Sequence, residues 1–349
     1  MKSSSSTSST ATTVNEVGEI TISTVHPDIL LTHIFTRLDG PTLAAASCAS
    51  SQLHTLSAHQ SLWTNICHST WPSTNHPRMR HLISTFPNGG PRSFFSDSFP
   101  LLVPNSDPPP PPHHQNSHLL QSSPPPELIS AVDIHYKNNL IFSKVQETET
   151  LTGWFRCSPF RIDLLDPKDV VPTSIQFNKD TCQDLDENLK LSWIVVDSIG
   201  RRAANMSSVR PVSVRQHWLT GEIELKFVTI LTGDNRGGST EFVQSEIVVT
   251  CGGSEGGDMH VREVSMKMED MDGMNLSGKD SLGILQRGMV NGKRKKGREE
   301  EGEERYEEYL KRKEEREERK LRREGRLDRI CIAFGVSICS AFCMFAFFC

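Results

Sequence analysis

HPDILLTHIFTRLDGPTLAAAS, residues 26–47, is the stretch on which the fold turns. It predicts two short helices, each opened by a proline. Pro27 suits a first helical turn, where its missing N–H is not needed. Ile29, Leu30, Leu31, Ile34, Phe35 and Leu38 follow at mixed three- and four-residue spacing, an apolar arc wider than one stripe. Asp39-Gly40 reads as the stop, because glycine tolerates the positive φ found just past a helix end. Pro41 opens the second helix, and Leu43, Ala44, Ala45, Ala46, Cys48 and Ala49 give it a small-residue face. Leu53, Leu56, Leu62, Trp63, Ile66 and Cys67 complete the unit, with Trp71-Pro72 at its edge. A domain of about 45 residues buries at most ~60 % of its unfolded surface. The first helix is apolar on both faces and has too few neighbours to cover them, so the surplus is expected to meet a partner.

Working outward, the chain of 349 residues has room for about two domains with linkers. Its hydrophobic content is 36 % and its net charge −5, the charge being unevenly spread. Residues 1–22 are Ser/Thr-rich and expected to be disordered. Residues 25–71 form the helical unit. Residues 72–126 read as a loop-like, Pro-rich linker, with Phe94, Phe95 and Phe99 as isolated apolar spots and prolines at Pro108–Pro112 and Pro124–Pro126. His113, His114 and His118 lie there without an accompanying cluster of ligands, so no metal site is expected.

Residues 127–251 change character. Expected strands are Leu128–Tyr136, Leu140–Val145, Trp154–Arg156, Phe160–Leu165, Leu189–Asp197, Val209–Val214, Glu222–Leu231 and Glu241–Thr250. In EIELKFVTIL, Ile223, Leu225 and Phe227 alternate with Glu222, Glu224 and Lys226, the period of a strand with one wet face. Lys137-Asn138-Asn139 and residues 233–238 supply turns. Eight strands with no helix between them predict an all-β sandwich-like domain. Residues 252–292, with CGGSEGGD and MKMEDMDGM, read as a flexible Gly/Met-rich linker.

Residues 293–329 are nearly all charged. Pairs at i,i+4 such as Glu301–Arg305, Glu307–Lys311, Glu308–Arg312, Glu315–Arg319 and Glu318–Arg322 predict a solvated single helix, loosened at Gly302 and Gly325. ICIAFGVSICSAFCMFAFFC, residues 330–349, carries no charge and no proline. Twenty residues at 1.5 Å span about 30 Å, a bilayer core. Arg322, Arg323, Arg326 and Arg329 precede it, which puts the bulk of the chain on the cytosolic side. With no secretory signal in MKSSSSTSSTATTV, a membrane tail anchor is expected. The nine cysteines form no C-x-x-C pair, so a reducing compartment is expected and neither disulfides nor zinc. The patterns Asn205-Met206-Ser207 and Asn275-Leu276-Ser277 should accordingly stay unglycosylated.

The helical unit resembles the F-box. Val25-His26-Pro27-Asp28-Ile29-Leu30, Ile34-Phe35, Arg37-Leu38, Leu43, Cys48, Leu53, Leu56 and Leu62-Trp63 follow the family pattern, with His26 where a leucine is usual and Ser51-Gln52 where a basic residue or tryptophan is common. The layout, with LSWIVVDSIGRRAANMSSVRPVSVRQHWLTGEI in the middle and a hydrophobic tail, is similar to a plant F-box subgroup. The resemblance implies a substrate receptor of a Skp–cullin–F-box ubiquitin ligase, and the apolar tail adds the expectation that it is tethered to a membrane. Pro27, Ile29, Leu30, Ile34, Phe35, Leu38, Leu43, Leu53, Leu62 and Trp63 would bind a Skp-type adaptor and through it a cullin, while the β-rich domain would hold a target protein. It implies scaffolding without catalysis or cofactor. The residues agree, offering no H-E-x-x-H, no G-x-S-x-G and no Gly-rich phosphate loop.

Two other readings stay open. Trp154, Trp193 and Trp218 could stack on sugar rings in a lectin-like or other ligand-binding module, although strand tryptophans ordinarily serve the core. Lys293-Arg294-Lys295-Lys296 could be a nuclear import signal or a phosphate contact; the acidic run from Glu299 to Glu304 opposes nucleic acid, and none is expected as a partner.

Overall fold

The computed structural model describes residues 25–104, 125–233, 242–295 and 301–348, with side chains as far as residue 345. Residues 1–22, His113, His114, His118, Pro108–Pro112, Lys296 and most of the 233–238 turn lie outside them. By contacts the chain divides into two units, Met1–Leu62 and Trp63–Cys349.

The first unit begins with a helical segment of three kinds of turn. α1 (Pro27–Ile29) runs into a π-helical turn (Leu30–Ile34) and a 3-10 turn (Phe35–Arg37). The His26 Nδ1 accepts the Asp28 N–H at 3.2 Å and so caps the start. Leu38 ends the segment by turning extended, at φ −86° and ψ 144°. The stop therefore differs from expectation. Asp39 caps the next helix, α2 (Gly40–Ala46), its Oδ1 accepting the Thr42 N–H at 2.9 Å. Gly40 is helical and has no positive φ. An aspartate side chain satisfies an orphan N–H better than the glycine ends the helix before it. α3 (Ser51–Ser57) is capped in the same way by Ser50.

α4 (Gln60–Thr70) carries the boundary between the units. Residues 72–103, expected as loop, are largely helical. A 3-10 turn (Pro72–Asn75), α5 (Pro77–Ser84), α6 (Pro91–Ser98) and β1 (Leu101–Val103) follow in order. Each helical piece has a proline in its first positions, so these prolines start helices rather than extend the chain. Phe94 and Phe95 are buried, and they gather Trp63, Trp71 and Phe86 around them with ring centroids 5.3–6.0 Å apart. This helical layer is fastened to the sheets. Asp133, buried on β2 (Glu127–Tyr136), accepts the Ser73 N–H and the Ser73 and Ser143 hydroxyls. Arg202 grips Asp97 with two hydrogen bonds of 2.7 and 3.0 Å.

The remaining strands and helices are β3 (Asn139–Glu149), α7 (Gly153–Cys157), β4 (Arg161–Asp163), β5 (Val171–Gln176), α8 (Thr181–Asn188), β6 (Leu189–Asp197), β7 (Arg202–Asn205), β8 (Ser213–Gln216), β9 (Ile223–Thr232), β10 (Phe242–Gly252), β11 (Asp258–Asp270), α9 (Gly278–Asn291), β12 (Lys293–Lys295) and α10 (Glu301–Phe348). One sheet has the order β12-β1-β7-β6-β2-β3; the other runs β4-β11-β10-β9-β8, with β5 also on β11. All pairings are antiparallel except β1 with β7. Inward side chains of both sheets, among them Val132, Trp193, Phe227, Ile247 and Met266, form one core with Leu282, Leu285 and Met289 of α9. The sandwich is thus as expected, and β2 and β3 join through Lys137-Asn138, both at positive φ as a tight hairpin needs.

Three expectations for this half fail. Trp154–Arg156 lies in helix α7, not a strand, and α8 also interrupts the strand series. Of Val209–Val214 only the end enters β8; Val209 sits at φ +72°, which breaks the strand. Residues 252–292 are not a linker. MKMED belongs to β11, where Val264, Met266 and Met268 point inward and Lys267 and Glu269 outward, and α9 closes the core.

α10 is one continuous helix of 48 residues, about 72 Å long. Its first part is not solvated as expected. Tyr309 is 3 % exposed and packs with Val228 and Ile230 of β9 and with Met271, flanked by Tyr306 and Phe242. Arg312 lies 5.0 Å over the Phe242 ring, and Arg316 pairs with Asp272 at 3.1 Å. Gly302 makes the close approach possible, since a Cβ there would stand 2.8 Å from the Ser208 Cβ.

Candidate functional site

The predicted adaptor-binding residues divide into two sets. Leu30, Phe35, Leu43, Leu53 and Leu62 are buried, as is Trp63, which belongs to the second unit and meets Phe95. Pro27, Ile29 and Ile34 are exposed, Ile29 at 49 % and Ile34 at 41 %, and Leu38 is half-buried.

The π-helical turn explains the division. It is closed by the Phe35 N–H donating to the Leu30 carbonyl, an i to i+5 bond. Widening the turn by one residue brings residues five apart onto one side. Leu30 and Phe35 consequently turn inward together, while Ile29 and Ile34 turn outward together. An α-helix would put members of each pair about 140° apart. The outward pair is bordered by exposed His33, Thr36 and Arg37, giving a small apolar surface with a polar rim. Ala45 of α2, with Cys48 and Ala49 just after its end, exposes small side chains beside it in sequence. Periodicity in the sequence found the apolar set but not this split, because a π turn has no residue signature of its own.

The three tryptophans differ. Trp193 is fully buried and donates its Nε1–H to Ser130 Oγ at 3.0 Å, so it serves the core and is not available for stacking. Trp154 and Trp218 are 83 % and 88 % exposed, against the expectation for strand tryptophans. They are not brought together: α7 precedes β4 at one edge of its sheet, and Trp218 follows β8 at the other. Trp218 and Leu219, 71 % exposed, occupy the tip of the β8–β9 turn. That tip is held in shape. The His217 N–H donates to the Glu222 carbonyl, the Thr220 N–H to His217 Nδ1, and the His217 ring stacks on Trp218.

The basic run has a structural use. Arg294 on β12 donates to the carbonyls of Asp97, Ala203 and Met289 at 3.2, 3.2 and 2.6 Å. Burial pushes its guanidinium below the usual arginine range, and Lys295 faces Glu301 at 3.5 Å. Arg294 is therefore not available to phosphate. Asn205 of the first glycosylation pattern is buried too, its Oδ1 accepting the N–H groups of Trp193 and Ser207. Burial pushes the Cys67 and Cys251 thiols up to about 12, which makes them poor nucleophiles. Among the described residues no group of His, Cys, Asp and Glu is arranged to hold a metal.

The C-terminal part of α10 is apolar and open. It contains an 18-residue window of mean hydropathy 1.7, none of it buried, with Ile330, Phe334 and Phe342 55–76 % exposed. By length and composition this helix can cross a membrane.

Comparison with known proteins bears on the first unit most directly. A family model described as F-box-like matches residues 27–69. Three proteins of Arabidopsis thaliana are similar over nearly the whole chain. A "probable F-box protein" is 48 % identical over 320 residues, covering 90 % of each chain. An "F-box protein" is 44 % identical over 336 residues, 91 % of this chain and 94 % of the relative. Another "F-box protein" is 46 % identical over 317 residues, 88 % and 85 %. No solved structure matches.

Proposed function

The chain belongs to the F-box protein family, and from that premise we propose that it recruits a target protein to a Skp–cullin–F-box ubiquitin ligase at a membrane surface. F-box proteins act as substrate adaptors of such ligases. The observation that carries the adaptor contact is the outward pair Ile29 and Ile34, two large apolar side chains that the π turn holds on one side in water. Pro27 and Leu38 extend the contact; Leu30, Phe35, Leu43, Leu53 and Leu62 support it from within their own unit. The role is that of a tether. Holding a target lysine near an activated ubiquitin raises its effective concentration, and no step of the transfer needs a group on this chain.

The test is capture of a Skp-type adaptor by the full chain. Ile29→Asp with Ile34→Asp places two charges in the interface and should lower capture by about tenfold or more, as loss of a central hot spot does. The thermal midpoint should stay unchanged, because both residues are already exposed. Undiminished capture would refute the contact.

Target binding belongs to the sandwich, and the preformed tip with Trp218 and Leu219 is the surface best suited to it, since exposed tryptophans are typical anchors of protein interfaces. The exposed Trp154 and Trp218 support a second reading, a ligand-binding module that stacks on sugars. Binding of the full chain to a glycan array, abolished by Trp218→Ala, would favour it; a blank array together with loss of protein capture would favour the first. Membrane residence is supported by the open apolar end of α10.

A further inference from the structure

Along α10 the charges are sorted. Residues 301–318 carry nine acidic and five basic side chains, a net −4; residues 319–329 carry six basic and two acidic, a net +4. The acidic half is the part that packs on the sandwich through Tyr309. The basic half leaves the sandwich after Lys320, whose Nζ is 3.8 Å from Asp272, and runs directly into the apolar end.

The basic half is also sorted around its axis. At 100° per residue, Arg319, Arg322, Arg323, Arg326 and Arg329 fall within an arc of about 120°, while Glu324 and Asp328 lie about 140° and 180° from Arg319. All five arginines are exposed. Arg322 reaches Glu318 at 2.9 Å, and Arg319 and Arg329 donate to the carbonyls of Glu315 and Gly325, yet all three residues remain exposed. Isolated helix stability does not require this sorting. Interspersed i,i+4 pairs of the kind seen at Glu301–Arg305 and Glu308–Arg312 would serve it better.

We propose that this arginine face binds the headgroups of anionic phospholipids in the leaflet that α10 enters. The inference rests on the membrane reading given above and adds a lipid class to it. Geometry fits. With Ile330 at the hydrocarbon boundary, Arg329 and Arg326 stand about 1.5 and 6 Å above it, inside a headgroup layer of about 5–8 Å. Arg322 and Arg323 follow at about 10–12 Å and Arg319 at about 16 Å, the first two within a Debye length of the lipid charge. Guanidinium forks suit phosphate oxygens, and basic residues just outside a span are attracted to anionic lipid. The two carboxylates face away from this arc, so the arc itself has one sign, and Asp328, about 3 Å above the boundary, meets the layer on the opposite side of the helix.

The experiment uses the full chain reconstituted with vesicles of phosphatidylcholine alone or of phosphatidylcholine with one-fifth phosphatidylserine. Flotation reports insertion; energy transfer from a label on the helix to labelled phosphatidylserine reports its enrichment. The wild type should float with both vesicles and enrich phosphatidylserine about fivefold over the bulk, the effect of about one arginine close to the surface. Half-molar salt should reduce this. Replacing the five arginines by glutamine should abolish enrichment without abolishing flotation. Exchanging Arg323→Glu with Glu324→Arg and Arg329→Asp with Asp328→Arg keeps the net charge and mixes the faces, and should lower enrichment. Flotation with equal enrichment in wild type and glutamine variant overturns the lipid class while leaving the membrane reading intact. Full enrichment in the exchanged variant overturns the role of the face. Failure to float with either vesicle overturns the membrane reading and this inference with it.

Discussion

Asp133 shows how one side chain can organise a region. It is 1 % exposed and accepts three hydrogen bonds, from the Ser73 N–H, the Ser73 hydroxyl and the Ser143 hydroxyl. Burial pushes its carboxyl above the usual aspartate range, and the hydrogen bonds offset that only in part. The sign follows. A carboxyl whose pKa is higher folded than unfolded contributes stability that is fully present below the unfolded value and lost as pH rises through the folded value. Asp133→Leu leaves the Ser73 N–H buried without a partner and should cost about 2–4 kcal/mol in chemical denaturation. Asp133→Asn keeps an acceptor for that N–H and should cost less. It should also remove the part of the pH slope that Asp133 contributes above about pH 4. A slope equal to that of the wild type would show that another group sets it.

At the scale of elements, the sequence is most legible where periodicity and burial agree. β9 follows from Ile223, Leu225 and Phe227 alternating with charged residues, and both β9 and β10 lie close to the expected limits. α1 and α2 follow from Pro27 and Pro41. Less legible are elements whose signal is short or ambiguous. α5 and α6 have eight residues each and start at prolines that also suit a loop. In β11, Met266, Lys267, Met268 and Glu269 alternate, but methionine has no strand preference and the flanking glycines also suit a linker. The π turn depends on packing rather than residue type. α10 is legible as a helix from its charge pairs, but its seat on the sandwich is not, since Tyr306, Tyr309 and Leu310 are the only apolar side chains among its first nineteen residues. Three of its predicted ion pairs do form, Glu301–Arg305, Glu308–Arg312 and Glu318–Arg322. Such pairs give only about 0.2–0.5 kcal/mol each, so the tyrosines decide where the helix rests. Tyr309→Ala should uncover Val228, Ile230 and Met271 and cost about 3 kcal/mol of local stability. Hydrogen exchange should then lose protection across residues 301–316 and keep it in β9 and β10. Unchanged protection in the helix would mean that Arg312 and Arg316 hold it without the tyrosine.

For the whole molecule the decisive fact is that the apolar end of α10 is exposed and, among the described residues, covered by nothing. The sandwich core and the Tyr309 cluster are complete without it, and residues such as Phe334, Phe342 and Phe345 are 68–76 % exposed. On the membrane reading proposed above, this stretch is the part that enters the bilayer. Nine residues separate Lys320, whose Nζ lies 3.8 Å from Asp272, from Ile330, and the ten helical rises between them span about 15 Å. The sandwich would therefore ride close above the bilayer, confining its targets to what can reach that layer. A chain ending at Arg329 should keep its thermal midpoint and its capture of the adaptor, and should move from the membrane fraction to the soluble one. Because tethering multiplies local concentration, the same truncation should lower ubiquitination of a membrane-bound target far more than that of the same target released into solution. Equal loss on both would mean that α10 acts on the sandwich itself, and a truncated chain still in the membrane fraction would place the anchor elsewhere.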